Sequence, residues 1–161
     1  MVIQTTRFGE IEVDEKKIIE FEKGIPGIEE LKRFIFLTPK ESYPIFFLQS
    51  IDEKDIALPV VNPYDFKADY NPKVKESVFK EIEIESDEDI LVLNVAVVPK
   101  DLKKMTVNLA APILINIKKF KAKQVILDDK QYSIREPMYN SLVTLIQQGG
   151  QNNAGTVAKE G

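Results

Sequence analysis

The chain contains no cysteine and no histidine. Without cysteine there is no disulfide framework and no thiolate nucleophile. Without histidine there is no imidazole general base and no Ser–His relay, and zinc sites of the Cys/His kind are excluded. Long hydrophobic runs are scarce too: the longest, Ile90–Val98, is nine residues and is broken by Asn94. A bilayer span needs ~20 apolar residues, so no membrane association is expected. Met1–Gly9 has no basic stretch followed by an apolar one, so no secretory signal is expected and the cytoplasm is the expected location. Gly24–Gly27 carries two glycines but no G-x-G-x-x-G and no Walker lysine, and no serine sits in G-x-S-x-G. The familiar catalytic chemistries are thereby removed, and neither enzyme activity, cofactor nor metal is expected.

What is present suits one soluble domain: 161 residues, 43% hydrophobic and 30% charged. The net charge of −4 hides an asymmetry. Residues 1–90 hold 12 Lys/Arg against 21 Asp/Glu, a balance of −9; residues 91–161 hold 10 against 5, a balance of +5. Overall acidity argues against general nucleic-acid binding and suits an encounter with a basic protein.

Short runs rich in branched residues dominate. Ile3–Thr6, Glu10–Val13 and Lys17–Phe21 read as an opening antiparallel meander. Further strands are expected at Phe34–Leu37, Ile45–Gln49, Ile56–Val61, Met105–Leu109, Ile113–Ile117, Lys121–Leu127 and Tyr132–Ile134. Ile90–Val98, apolar on both faces, reads as a central strand. Pro59 inside an apolar run favours an edge or a bulge. Lys80–Glu85 alternates charged and apolar residues, which reads as a strand with Ile82 and Ile84 on one face. Ile28–Arg33, acidic early and basic late, reads as a short helix. Ser86 before Asp87, Glu88 and Asp89 reads as the cap of a helical turn. The expected fold is mainly β: a compact antiparallel β-barrel-like single domain over residues 1–136, with a few short helices.

The end changes character. Met138, Leu142, Leu145 and Ile146 recur at i, i+4, i+7 and i+8, so a helix is expected over 137–148. It either packs on the domain or docks a partner. Residues 149–161 have nothing to bury and are expected to form a mobile tail.

The densest charged feature is Glu81, Glu83, Glu85, Asp87, Glu88 and Asp89. Catalysis would need two facing carboxylates with environments that separate their pKa values, whereas alternate strand positions place them side by side. A solvated face and a docking surface for a cationic partner remain. Calcium is disfavoured, since no D-x-[DN]-x-[DN]-G spacing is present. Lys100, Lys103, Lys104, Lys118, Lys119, Lys121 and Lys123 could form a phosphate-binding strip, but only Phe120 lies among them as a stacking aromatic. The competing functions are therefore a single-stranded RNA-binding β-barrel and, further off, a carboxylate-based hydrolase. Phe46 and Phe47 place one ring on each face of their strand.

Several blocks together resemble the bacterial flagellar assembly factor FliW family. They are Thr6, Phe8, Gly9, Glu10 and Ile11; then Ile18 to Gly27, with its Glu20-Phe21-Glu22-Lys23-Gly24-Ile25-Pro26-Gly27; and Lys32-Arg33-Phe34. Later blocks are Phe46-Phe47-Leu48-Gln49-Ser50, Asn62-Pro63-Tyr64, Val107 to Ile113, and Lys123-Gln124-Val125-Ile126-Leu127. The likeness spans about residues 1–135 in order; each block alone would be a weak turn or strand signal. It implies a cofactor-free, barrel-like cytoplasmic protein that binds flagellin and sequesters the RNA-binding translational repressor CsrA, relieving repression of flagellin synthesis. The partner surface is expected on Glu81, Glu83, Glu85, Asp87 and Asp89, with the projecting Tyr64, Asp65 and Phe66.

Overall fold

Seven short strands close into a ring in the computed structural model, which describes residues 1–128 and 130–148. The strands of the chain are β1 (Val2–Thr5), β2 (Gly9–Glu12), β3 (Ile19–Glu20), β4 (Arg33–Leu37), β5 (Phe46–Ser50) and β6 (Ala57–Val61). Then follow β7 (Ile90–Val97), β8 (Thr106–Val107), β9 (Ile113–Asn116), β10 (Lys121–Gln124) and β11 (Glu136–Pro137). Helix α1 is Glu76–Glu81, and residues 139–148 form α2. No helix among the described residues is long and apolar enough to cross a membrane.

The ring runs β7-β6-β5-β4-β3-β10-β9 and closes where Ile90–Leu93 of β7 pair with Ile113–Asn116 of β9. All pairings around it are antiparallel except β3 with β10, a parallel seam with the single register pair Lys121↔Glu20. The expected mainly β, barrel-like architecture is therefore what the chain adopts. β7 is its central strand. On one side β9 and then β8 pair with successive parts of it; on the other, Asn94 and Val95 pair with Val61 and Val60 of β6. Pro59 sits on β6 opposite Phe47, next to the point where the β6–β7 ladder begins, as its missing N–H requires.

Strand alternation fills two sides of the wall. Phe21, Phe34, Phe46, Leu48, Leu93, Ile113 and Ile115 are buried inside the ring. Phe21 and Phe34 meet edge-to-face at 5.4 Å. Outside, Ile35 packs with Ile3 and Val13 of the first hairpin, Leu114 lies under Val78 of α1 and Ile82 just after it, and Met105, Val107, Met138 and Leu142 form a further cluster at α2.

Four local expectations are corrected. The opening segment is no meander: β1 and β2 form a separate two-stranded sheet, and β3 pairs with β4 and β10 instead. Ile28–Arg33 is not a helix but two turns, with Ile28 N–H donating to Ile25 O and Leu31 N–H to Ile28 O. Successive turns rather than a helix let Ile25, Ile28 and Leu31 all pack against the barrel core, and Phe21 N–H ties back to Lys32 O. Gly24 permits the bend with φ +71, and Glu29 crosses it so closely that a Cβ would lie 2.4 Å from the Glu29 carbonyl oxygen.

Lys80–Glu85, expected as a strand, is the end of α1 and a turn with Glu83 at φ 58. Val74, Val78, Phe79 and Ile82 pack as a helical face on Leu114, and this 3.6-residue period overrides the local alternation. Tyr132–Ile134 forms no strand; β11 follows it and pairs with β8. The expected mobile tail lies outside the described residues.

Candidate protein-interaction surfaces

The acidic segment does not stand alone. It lies across the lysines of β10 and of the turn that leads into it. Glu81 accepts from Lys23 Nζ at 2.9 Å and pairs with Lys123 Nζ at 2.9 Å. Glu83 binds Lys121 and lies 3.5 Å from Lys119, which reaches Glu85 at 3.2 Å. Asp89 is buried, and Lys118 covers it at 3.4 Å. Hydrogen bonds from Lys123 and then Lys23 hold the Glu81 carboxyl below the usual glutamate range, and Lys121 and Lys119 do the same for Glu83. Glu85 and Glu83 in turn raise Lys119 and Lys121.

One buried amide builds this arrangement. Asn116, 1% exposed at the end of β9, donates from Nδ2 to the Ile82 and Glu83 carbonyls at 2.9 and 3.0 Å. Its Oδ1 accepts from the backbone N–H groups of Lys118 and Lys119 at 3.0 and 3.1 Å. Asn116 therefore fixes the acidic turn and the lysine turn against each other. Asp87 and Glu88 project from a 3-10 turn capped by Ser86 Oγ, and no ion pair among the described residues engages them.

Tyr64, Asp65 and Phe66 sit on another part of the surface. Asn62 Oδ1 accepts from Tyr64 N–H at 3.0 Å and starts a 3-10 turn with Pro63 buried at its first position. Phe66 leans into the cluster beneath α2, and Asp65 is half-buried. Tyr64 is 42% exposed and tilts over Tyr70 with ring centroids 5.9 Å apart. Tyr70 is buried: its hydroxyl donates to Leu109 O at 2.6 Å and accepts from Asn94 Nδ2 at 3.2 Å. Burial pushes its pKa up to about 12.

Sequence reasoning missed a third feature. A groove of about 280 Å³ opens between the barrel wall and α2, floored by Ile45, Phe47 and Pro59 and bordered by Val98, Leu102 and Ile146. The last three are 39%, 46% and 55% exposed. Phe47, on the outer face of β5, is covered edge-to-face by Phe8 at 5.2 Å and by the Arg7 guanidinium 4.8 Å from its centroid. The exposed Ile146 in the apolar stripe of α2 was the one local signal; the other walls come from distant segments.

Comparison with known proteins follows the same lines. The family described as "FliW protein" matches residues 2–138. A flagellar assembly factor FliW of Caldicellulosiruptor saccharolyticus is 40% identical over 146 residues, covering 91% of this chain and 95% of the relative. A flagellar assembly factor FliW of Thermotoga maritima is 42% identical over 135 residues, covering 83% and 91%. A crystal structure of the flagellar assembly factor FliW superposes with a TM-score of 0.81 at 30% identity, covering 86% of this chain and 96% of that one.

Proposed function

The chain belongs to the FliW family, and from that premise we propose that it works as a stoichiometric binder of flagellin and of the translational repressor CsrA. Free protein holds CsrA and relieves repression of flagellin synthesis; newly made flagellin occupies the protein and lets CsrA act again. Both partners are cytoplasmic, and the proposal places this chain there. The observation that carries the reading is the family match over residues 2–138 with relatives covered almost end to end.

The surface chemistry supports binding over catalysis. Asp52, Glu81 and Glu83 are each lowered by cationic partners, the pattern of ion pairs. The acidic segment suits CsrA, whose RNA-binding surface is basic. Asp87 and Glu88 are open to steer such a partner, and Glu83 and Glu85 can exchange Lys119 and Lys121 for its cations. Ion pairs this open to water are weak, so the exchange costs little. The RNA-binding reading is weakened, because Lys118, Lys119, Lys121 and Lys123 all face carboxylates.

Size-exclusion chromatography of the chain mixed with CsrA, and separately with flagellin from the same bacterium, tests the proposal. Co-elution at fixed stoichiometry with each is expected. Separate elution of both partners at micromolar concentrations would sink it.

A further inference from the structure

We propose that the outer edge of β2 is a strand-addition site for an extended, cationic segment of a protein partner. The inference rests on the protein-binding reading and gives that function a place and a ligand chemistry.

Ladder parity leaves this edge open. Met1 N donates to Val13 O at 3.0 Å and Val13 N–H donates to Met1 O at 2.7 Å, so the two residues form a hydrogen-bonded pair. Bonded and non-bonded pairs alternate along an antiparallel ladder. In the observed register Ile3↔Ile11 and Thr5↔Gly9 are then the other bonded pairs, and Val2↔Glu12 and Gln4↔Glu10 the non-bonded ones. Glu10 and Glu12 therefore turn their backbone N–H and C=O groups away from β1. The hairpin is a sheet of two strands, and no hydrogen bond among the described residues engages these four groups. The outer edge of β1 differs. Thr6, on the same side as Val2 and Gln4, donates its N–H to Lys54 O at 3.0 Å, so the turn between β5 and β6 stands across that edge.

The side chains define what the open edge would accept. Glu10 and Glu12 are the charged residues of β1 and β2, and both are exposed. Neither has a lysine or arginine within ion-pair distance among the described residues. Gln4 holds one oxygen of Glu10 at 2.8 Å, which leaves the other free for a partner. Arg7, at the hairpin turn, is drawn aside onto the Phe47 ring. The 3-10 turn after β2 is balanced, Asp14 and Glu15 against Lys16 and Lys17. Ile11 points to the opposite face and packs, only partly buried, with Ile3, Val13 and Ile35.

An added strand would set one residue opposite each of Glu10, Ile11 and Glu12, at about 4.5–5.5 Å. Cation, apolar, cation is the triplet that matches them. A second copy of the same edge is the wrong occupant, because it would bring carboxylate against carboxylate; edge charges serve to prevent such self-pairing. A polyanion is repelled for the same reason. Main-chain bonds along the edge would supply affinity, and the alternating side chains selectivity.

The test uses the full chain, isotope-labelled for NMR, mixed with unlabelled CsrA and separately with flagellin of the same bacterium. At least one partner is expected to slow amide exchange at Glu10 and Glu12 by about tenfold or more, with Val2 and Gln4 on the far edge unchanged. Glu12→Pro removes an N–H that no ladder bond uses, and edge strands tolerate proline. It should keep the wild-type melting temperature and weaken that partner's binding by about tenfold or more. Glu10→Gln/Glu12→Gln keeps the backbone and should weaken binding several-fold, an effect that shrinks in high salt. If the proline variant melts lower, the exchange measurement and the glutamine pair decide. Unprotected Glu10 and Glu12 amides in both complexes overturn the assignment, as does wild-type affinity in a well-folded proline variant. So does protection that appears in the chain alone as its concentration rises, which would make a second copy the occupant. Complexes that form without that protection leave the binding function standing while the edge assignment falls; failure to form either complex removes both.

Discussion

Replacing Asn116 by alanine should unhook the acidic turn from the lysine turn, and the structure allows the cost to be worked out. Four hydrogen bonds are lost, two donated to Ile82 O and Glu83 O and two accepted from Lys118 and Lys119 N–H. The lysine amides lie on an exposed turn, where water replaces the lost acceptor. The Ile82 carbonyl does not have that recourse: its bond to Asn116 is buried, and Ile82 is 2% exposed. At about 1 kcal/mol per neutral hydrogen bond, plus the penalty of an unsatisfied buried carbonyl, the loss comes to roughly 2–4 kcal/mol. For a chain of this size that is a fall of roughly 5–15 °C in melting temperature. Asn116→Asp should be worse at neutral pH, because a buried carboxylate would face two carbonyl oxygens. Urea denaturation followed by circular dichroism reads both variants, and hydrogen exchange at Lys118 and Lys119 reports whether the turn has loosened. An alanine variant within about 0.5 kcal/mol of wild type would show that Asn116 does not hold these turns.

Gly24→Ala should destabilise by at least about 3 kcal/mol, since it combines a left-handed backbone with overlap onto Glu29; a soluble variant with wild-type melting refutes the tight crossing. Tyr70, with its pKa raised by burial, stays neutral in the folded chain while the unfolded chain ionises near pH 10, so its contribution is present below that value and is lost as pH rises towards about 12. Titration of tyrosinate absorbance should show one of the five tyrosines ionising last, and Tyr70→Phe should remove that step. Glu81 and Glu83 have lowered pKa values, so their contribution is present above the ordinary glutamate range and is lost as pH falls through and below it. A melting temperature flat from about pH 6 to pH 3 would contradict those pairings. Charge reversal at Asp87 and Glu88 should slow CsrA association at low salt without shifting the melting temperature, and unchanged stopped-flow rates would remove those carboxylates from the encounter surface.

The barrel was legible because its strands carry period-2 apolar patterns or, like β7, are apolar on both faces, and Gly24, Pro59 and Pro112 mark where they bend or end. What escaped was decided by partners far along the chain. Lys80–Glu85 fits a strand by alternation and a helix by the spacing of Val74, Val78 and Ile82, and the choice rests on Leu114 and Asn116. The acidic segment and the lysine strip read as two independent surfaces until folding brings Glu81 to Lys123, 42 residues away. Of the residues expected at the partner surface, Glu83, Glu85 and Asp87 are exposed and neighbouring, Asp89 is buried, and Tyr64 presents its ring elsewhere. The groove left almost no trace, since its walls come from residues 7, 41–43, 45, 47, 59, 98, 102, 142 and 146.

The ring of seven strands has a consequence of parity. Neighbours in a closed sheet can alternate direction all the way round only if their number is even, so an odd ring must contain at least one mismatch. Here it falls between β3 and β10, where one residue pair carries the join. Glu81 grips Lys23, just beyond β3, and Lys123 on β10, so a carboxylate from outside the ring clips together the two strands that the backbone joins most thinly.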